Sequence, residues 1–460
     1  MKRFLILVCI SFFTLHSFAQ SGQITKKKYY GGQFNQQDSS IGYTEAVLVD
    51  NVLYVSGWLD KGTIAEQLQG IYVNLGKILK AYGATYQNVV KETLFTTDKR
   101  ELLYDPEINV IVEVINETEA AFEIVTTALK NGKDVVSSSK KMLAENMPEL
   151  LGLQKQTNLS LLYEAAACAS IPIIRNLEEY YDNDLVQSVK AIANGTTNFI
   201  LTKMFEDKLE FKQALLLAQQ SGFAETDPTL DVEGYDALNK WTILLNHSYG
   251  IVERPENIVF TGIQNINQND AVVAREKHYE IKLVAQAKKL NNGDVAAFVL
   301  PQFVYQHDQL AFVKNEYNGV VIESGFSDKQ FFYGKGAGSF PTGSAVLSDI
   351  SALRYDYHYE YKKLYHHQPN RLTEDFYLKV YISFDNNAFI PKEKFEWIEE
   401  WHADLNRNYL IGVLPFSELK NSKWWKVDNV SLILGPEPII EDIEIRKLKK
   451  KSLELAGVTL

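Results

Sequence analysis

The spacing of apolar side chains over the first hundred residues predicts short strands around one helix. Between Ile64 and Tyr82 the apolar positions recur at helical spacing, and Gly83 follows as a helix stop. Asp50 and Asn51 separate two strand-like runs and indicate a hairpin turn. The strand-like runs are Glu45 to Val49, Val52 to Val55 and Val89 to Thr96.

From Asp98 the pattern becomes that of a parallel sheet. The stretch DPEINVIVEVI predicts a buried strand, Ala120 to Lys130 a helix and Lys133 to Ser137 another strand. A dinucleotide-binding sheet of this kind opens with a strand, a G-x-G-x-x-G turn and a helix, so that backbone amides can approach the pyrophosphate. No such turn precedes Asp98. The sequence therefore predicts an incomplete doubly wound sheet.

Beyond Tyr365 the pattern indicates a small α+β tail. We expect a strand over Phe376 to Phe384, a helix over Lys392 to Trp401 and a strand over Val430 to Leu434.

The first nineteen residues are typical of a secretory signal. Lys2 and Arg3 precede an apolar run from Phe4 to Phe18, and small residues at Ser17 and Ala19 predict cleavage after Ala19. The pattern predicts export to the periplasm, the alternative being a retained anchor. No later stretch is long enough to span a bilayer.

Composition narrows the classes of partner. A net charge of -11 argues against a general nucleic-acid or anionic-membrane surface, which needs a basic excess. The local basic run from Arg446 to Lys451 is interpreted as a solvated helix end. Two cysteines are present, and only Cys168 would remain after processing, which excludes an internal disulfide and a zinc-cysteine cluster.

Three phrases between Tyr163 and Gly250 carry the most specific signal: YEAAACASIPIIRNL, NGTTNFIL and GFAETDPTLDVEGYDALNK. Together with the sequence from Asp98 to Lys140, where SSSK stands in place of TANK, they resemble the homoserine dehydrogenase family. The resemblance implies NAD- or NADP-dependent interconversion of homoserine and aspartate semialdehyde in the cytoplasm, by a homodimer.

The resemblance also implies roles for individual residues. Lys240 would donate a proton to the substrate oxygen and accept it in the reverse direction, and Asp236 would orient the reacting groups. Lys140 would lie near the nicotinamide and the substrate oxygen. The residues placed near the substrate are Glu225 and Asp231, which would bind its amino group, and Gly195 and Thr196. Asp236 and Lys240 are also four residues apart on a predicted helix and can pair; the alternative interpretation is a surface ion pair.

Two further stretches match the family. GKGAGSFPTGSAVLSD, Gly334 to Asp349, resembles its GxGAGxxPTxSAV segment and would bring Gly336 and Ala337 to the cofactor. The family holds a monovalent cation, usually sodium, mainly on backbone carbonyls, and the matching positions are Glu164, Ala167, Ala169 and Ile171. Cys168, among them, has no histidine at a recognisable spacing and is interpreted as a small buried thiol.

The region before Asp98 resembles a different family. The phrases IGYTEAVLVDNVLYVSG and GATYQNVVKETLFTTD are similar to the reactive-intermediate deaminase (YjgF/Rid) family, without its substrate-binding arginine or its later strands. We therefore predict a chimera of α/β class, in which a partial α+β deaminase-like segment precedes an incomplete doubly wound parallel sheet and an α+β catalytic domain with a mixed sheet. The predicted division is a signal peptide at 1–19, a deaminase-like segment at 23–97, an incomplete dinucleotide domain at 98–155, a catalytic domain at 156–330, a return segment at 331–375 and a tail at 376–460.

Three functional hypotheses remain open at this point. The first is a homoserine dehydrogenase with impaired cofactor binding, acting on a small molecule and on neither nucleic acid nor, once processed, a membrane. The second is an exported deaminase-like binding module, and the third a non-functional chimera.

Overall fold

The computed structural model describes residues 9–11, 26–29, 46–49, 52–55, 64–88, 91–93, 98–182, 185–404 and 407–445. The chain divides into two compact units, Met1–Asp105 and Pro106–Leu460. The predicted signal peptide, apart from Cys9–Ser11, and the basic run from Arg446 lie outside the described residues.

Within its described residues, the first unit contains a five-stranded sheet and two helices. Its strands are β1 (Cys9–Ser11), β2 (Lys26–Tyr29), β3 (Ala46–Val49), β4 (Val52–Val55) and β5 (Lys91–Thr93), in the sheet order β2-β3-β4-β1-β5, and its helices are α1 (Ile64–Ala81) and α2 (Arg100–Leu103). Strands β3 and β4 pair antiparallel, which confirms the hairpin. Helix α1 buries Leu75, Ile78 and Leu79, and the left-handed Gly83 (φ +70°) follows its end, as the apolar spacing predicts.

The second unit holds the remaining elements. Its strands are β6 (Val110–Glu113), β7 (Asp134–Ser137), β8 (Leu161–Leu162), β9 (Val186–Ile192), β10 (Val259–Phe260), β11 (Tyr279–Lys289), β12 (Val295–Tyr305), β13 (Tyr317–Ser324), β14 (Asp328–Lys335), β15 (Tyr377–Phe384), β16 (Trp397–Ala403), β17 (Asn408–Pro415) and β18 (Val430–Ile440). Its helices are α3 (Thr118–Lys130), α4 (Lys140–Thr157), α5 (Ile173–Arg175), α6 (Gly195–Glu206), α7 (Phe211–Gln220), α8 (Thr229–Val232), α9 (Tyr235–Tyr249), α10 (Gln268–Glu276), α11 (Ser339–Leu353) and α12 (Phe416–Asn421).

A parallel three-stranded sheet, in the order β6-β7-β8, begins the second unit. Strands β6 and β7 pair in parallel and are connected by α3, which confirms the predicted strand-helix-strand unit. The central strand is covered on both faces, because Val135 and Val136 are both fully buried. Within the described residues β6 is an edge strand, and its Val112 remains 42% exposed.

A mixed sheet of ten strands forms the rest of the second unit. Its order is β14-β13-β9-β11-β12-β18-β15-β17-β16, with β10 paired to β12. Helices α6 and α9 pack on the β9, β11 and β13 part of this sheet. Helix α9 is buried from Asp236 to Tyr249, so every polar side chain on it needs a partner inside the protein.

The C-terminal tail continues the mixed sheet. Strands β15 and β18 confirm two of the predictions made for it. The helix predicted over Lys392 to Trp401 is wrong: a single 3-10 turn at Lys392–Lys394 leads into strand β16. The aromatic and β-branched side chains of this stretch favour a strand, and pairing with β17 outweighs the local helical spacing.

Among the described residues, no helix combines the length and the apolar character that crossing a membrane requires.

Candidate active site at the start of helix α9

The first turns of α9 carry a buried ion pair. Lys240 Nζ lies 2.8 Å from Asp236 Oδ2 and donates to the backbone oxygen of Ala193, also at 2.8 Å. The two side chains are only 7% and 9% exposed, which argues against the surface-pair interpretation. Gly234 begins the helix with φ +91°, and a Cβ there would approach the Thr261 oxygen to 3.1 Å.

Lys140, the first residue of α4, reaches the same carboxylate from another part of the chain. Its Nζ lies 3.1 Å from Asp236 Oδ1. The attraction of Asp236 raises the pKa of Lys140 above its usual value, with smaller contributions from Asp231 and Glu225. Burial would raise the pKa of Asp236, but the two ammonium groups and their hydrogen bonds outweigh burial and hold that pKa well below its usual range.

Asn194 connects two carboxylates, and the sequence analysis missed it. Its Nδ2 donates to Asp231 Oδ1 at 2.7 Å and to Asp236 Oδ2 at 2.8 Å, while its Oδ1 accepts from the Thr197 amide at 2.7 Å and caps α6. The available signal was an asparagine, a residue favoured at helix N-caps, at the start of the phrase NGTTNFIL. Burial, together with repulsion from Asp236, raises the pKa of Asp231, and Asn194 opposes that rise.

The other predicted substrate residues lie around this cluster. Thr196 Oγ1 donates to the Phe223 oxygen at 2.6 Å and ties the start of α6 to the loop that carries the exposed Glu225. Gly195 is required for packing, since a Cβ there would lie 2.5 Å from the backbone oxygen of Glu316. The structure thus brings Glu225, Asp231, Gly195 and Thr196 to one region, while their roles stay predictions.

The two predicted cofactor residues on the return segment differ in exposure. Gly336 is buried, and a Cβ there would overlap the side chain of Asn318. Asn318 Nδ2 donates to the Ala193 oxygen at 3.0 Å, the same oxygen that accepts from Lys240. Ala337 is exposed at the start of α11. Gly336 is therefore required for packing against Asn318, and the approach of Gly336 and Ala337 to a cofactor stays a prediction. The chain has no G-x-G-x-x-G turn for the pyrophosphate before Asp98.

The predicted cation loop has a fixed backbone. The buried Glu164 carboxylate accepts from the amides of Ile174 and Arg175 at 2.8 and 3.0 Å. Ala169 has φ +43°, a conformation that favours glycine. The Ile171 oxygen already accepts from the Ile173 amide at 2.7 Å. The carbonyls of Glu164, Ala167, Ala169 and Ile171 remain a predicted cation site, and the described residues contain no group of three His, Cys, Asp or Glu that could hold a metal.

Cys168 in the same loop is fully buried, and burial raises the pKa of its thiol to about 11. A thiol in this state is a poor nucleophile, in agreement with its interpretation as a packing residue.

A second polar cluster lies further along α9, and we call it the His247 cluster: Tyr163, Glu178, His247, Tyr361 and Lys363. His247 Nδ1 lies 2.6 Å from Glu178 Oε1, and its Nε2 lies 2.9 Å from the Tyr163 hydroxyl. The Tyr163 hydroxyl is 3.0 Å from that of Tyr361. Lys363 Nζ donates to the backbone oxygens of Leu177 and His247 at 2.5 and 2.7 Å. All five residues are buried.

A parallel strand-helix-strand sheet, followed by a mixed sheet on which two lysines pair with one buried carboxylate, defines an α/β protein with a polar site at the start of α9. The comparisons name the family. The homoserine dehydrogenase family model matches residues 172–351, and the model of the homoserine dehydrogenase NAD-binding domain matches residues 59–164. The second match begins inside the stretch that resembles the deaminases.

Homoserine dehydrogenase of Lactococcus lactis is 38% identical over 256 residues, 56% of this chain and 60% of that protein. Among solved structures, homoserine dehydrogenase of Thiobacillus denitrificans is 29% identical with a TM-score of 0.65, over 74% of this chain and 85% of that one. That of S. aureus is 31% identical with a TM-score of 0.55, over 74% and 84%. A hyperthermophilic archaeal homoserine dehydrogenase mutant in complex with NADPH is 30% identical with a TM-score of 0.51, over 62% and 83%.

The chain therefore belongs to the homoserine dehydrogenase family. It spans about 60% of the length of the curated relatives it matches.

Proposed function

We propose that the chain catalyses the NAD(P)-dependent interconversion of L-homoserine and L-aspartate 4-semialdehyde. The observation that carries the proposal is the convergence of Lys140 and Lys240 on opposite oxygens of Asp236. Family membership supplies the substrate pair, and the relatives named above are all homoserine dehydrogenases.

The cluster suits the proton transfer that a carbonyl reduction needs. As hydride arrives at an aldehyde carbon, the oxygen becomes an alkoxide and requires a proton from a positioned acid. In this proposal the ammonium group of Lys240 supplies that proton, and in the reverse direction its amine accepts one. Asp236 and the Ala193 oxygen fix the Lys240 nitrogen, and Lys140 provides a second positive charge for the developing alkoxide.

The carboxylates of Asp231 and Glu225 would bind the substrate ammonium group. Asn194 donates to the carboxylates of both Asp231 and Asp236 and so holds the two close to each other. Opposite charges in a partly buried site give both affinity and orientation.

The nicotinamide cofactor supplies or accepts the hydride when bound. The NADPH complex of the archaeal relative supports the same class of cofactor here, with Lys140, Gly336 and Ala337 at the nicotinamide end. The absence of G-x-G-x-x-G before Asp98 should weaken binding, because each lost charged hydrogen bond costs about 1.5 to 3 kcal/mol. The sequence does not discriminate NAD from NADP.

The same proposal includes three expectations from the sequence. These are a sodium ion on the carbonyls near Glu164, a homodimer, and export with cleavage after Ala19. Flame photometry of dialysed protein would test the sodium ion, and light scattering would test the homodimer. Mass determination of the mature N-terminus would test the cleavage.

The test of the activity is a homoserine oxidation assay on the purified full chain, with NADP+ or NAD+ raised to millimolar concentration. We expect turnover with a KM for the cofactor far above that of the Lactococcus lactis relative. The Lys240→Ala variant, purified identically, measures contaminating host enzyme. No turnover above that control at saturating cofactor would refute the activity, and a KM equal to that of the relative would refute impaired cofactor binding.

A further inference from the structure

The carboxyl edge of the parallel sheet holds a buried carboxylate that the proposed reaction does not use. Glu113 ends β6, is 2% exposed and lies opposite Ser137 of β7 in the parallel pairing. Its Oε2 accepts from Ser137 Oγ at 2.6 Å, and its Oε1 accepts from Ser139 Oγ at 2.8 Å and from the Ile115 amide at 2.7 Å. The Ser137 hydroxyl and the Ile115 amide hold this buried carboxylate in one orientation, and the single proton of the Ser139 hydroxyl is shared between Glu113 Oε1 and the Ile115 oxygen.

The turn between β7 and α4 is organised around this carboxylate. Ser139 occupies the N-cap position of α4, yet its side chain makes no capping hydrogen bond. Its hydroxyl instead lies within reach of Glu113 Oε1 and, at 2.7 Å, of the Ile115 oxygen. Ser137 Oγ also accepts from the Ser139 amide at 3.1 Å. Contacts with the end of β6 therefore fix the start of α4, a role that a capping side chain ordinarily has.

Lys140 follows this turn directly. Its side chain is 43% exposed and has several rotatable bonds, so the 3.1 Å contact with Asp236 depends on where its backbone begins. A displacement of about 1 Å in a reacting group can cost about two orders of magnitude in rate.

We propose that Glu113 is a positioning residue: through Ser137 and Ser139 it fixes the first residue of α4 so that Lys140 reaches Asp236. The kinetic consequence rests on the proposed function, whereas the contact between Lys140 and Asp236 does not.

The first experiment measures that contact without turnover. Lysines of the full chain are acetylated for short times between pH 7 and 11, and the extent of modification at each lysine is read by peptide mass spectrometry. Lys141, which is 54% exposed, serves as the internal reference. Because Asp236 raises the pKa of Lys140, we expect Lys140 to react slowly in the parent and about fivefold faster at pH 8.5 in Glu113→Gln.

Ser138→Ala is the matched control. Ser138 lies in the same turn but is not among the residues that donate to the Glu113 carboxylate, and alanine is the family's residue in TANK. Lys140 reactivity in this variant should therefore equal that of the parent. Ser139→Ala keeps the Glu113 charge and removes one donor, and we expect a smaller change in the same direction. Loss of capping cannot explain it, since the Ser139 side chain makes no cap.

The second experiment measures steady-state kinetics of the same variants. Glu113→Gln should lower kcat about tenfold and leave the KM for homoserine within about twofold, because Lys140 acts on the developing alkoxide. If Glu113→Gln does not fold, Ser139→Ala decides. Unchanged Lys140 reactivity in folded Glu113→Gln and Ser139→Ala would overturn the inference. A parent chain without turnover would refute the proposed function and leave the labelling result standing.

Discussion

Helix α9 carries two buried polar clusters with different properties. Asp236 and Lys240 lie at its start, and His247 lies two turns further along. The first cluster is open on one side, because the side chain of Lys140 is 43% exposed. The His247 cluster is sealed, with His247 and Glu178 at 0% and 6% exposure. Similar residue types therefore lie on one helix in two environments, one partly open to solvent and the other sealed.

The lysines show the difference most clearly. The attraction of Asp236 raises the pKa of Lys140, whereas burial lowers the pKa of Lys363 to about 8. Lys363 donates to two backbone carbonyls, which attract its charge less than a carboxylate would. The charge of Lys140 is thus paired beside an opening, whereas that of Lys363 lies inside the core against backbone carbonyls.

The largest difference should appear in turnover. Lys240→Ala removes the proposed acid and should reduce kcat about a thousandfold, within the range that general acid catalysis contributes. His247→Leu should leave kcat within about threefold, because His247 touches no part of the open cluster. Equal losses of kcat in the two variants would contradict the division of α9 into two clusters.

The next effect concerns the free energy of unfolding. Glu178→Ala leaves His247 and Lys363 without their nearby carboxylate and should reduce that free energy by about 3 to 5 kcal/mol. Glu179→Ala, at an exposed neighbouring position, should change it by less than about 0.5 kcal/mol. Urea titration of both variants provides the measurement, and a similar midpoint for the two would show that the sealed cluster contributes little.

The third effect is a pH dependence of stability. Lys363 binds its proton with a pKa of about 8 when folded, against 10.5 in the unfolded chain. Between these values the unfolded chain binds more protons, so the free energy of unfolding rises with pH, by about 3 kcal/mol over the whole window. We expect the parent to gain about 2 kcal/mol relative to Lys363→Met between pH 7.5 and 9.5. Lys282, whose pKa burial also lowers to about 8, is present in both proteins and cancels; parallel urea midpoints would contradict the assignment.

The smallest effect tests the carboxylate bridge in the open cluster. Asn194→Ala removes the donor shared by Asp231 and Asp236, and kcat/KM should fall about tenfold. The pKa of Asp231 should rise further, which moves the acidic limb of the pH profile upward. Asn267→Ala removes a comparable cap, that of α10, and should change stability with little effect on kcat/KM. If both variants lose kcat/KM to the same extent, Asn194 acts only as a helix cap and the carboxylate bridge has no kinetic role.

The sequence predicted what depends on local spacing. The i, i+4 relation of Asp236 and Lys240, the amphipathic face of α1 and the hairpin of β3 and β4 are all contained in short windows, and the structure has them. The phrases around α9 predicted the family for the same reason, since they specify residue types and their order.

The rest depends on contacts between distant segments. Lys140 meets Asp236 only because α4 packs on α9, and Asn194 meets Asp231 only because α6 packs on α8. Nothing in the local sequence distinguishes Glu113 from other strand residues, because its partners Ser137 and Ser139 are more than twenty residues away along the chain. The stretch from Lys392 to Trp401 failed as a helix because its strand partner β17 lies outside any local window.

The position of β18 has a consequence for biosynthesis. This strand follows every other strand of the mixed sheet along the chain, yet it lies between β12 and β15. During translation the strands on one side of β18 (β14, β13, β9, β11 and β12) and those on the other side (β15, β17 and β16) can each pair early. The two groups remain separate until residues 430–440 leave the ribosome. Folding should thus finish with the insertion of one central strand, and a nascent chain stalled before Val430 would present two apolar sheet edges to chaperones.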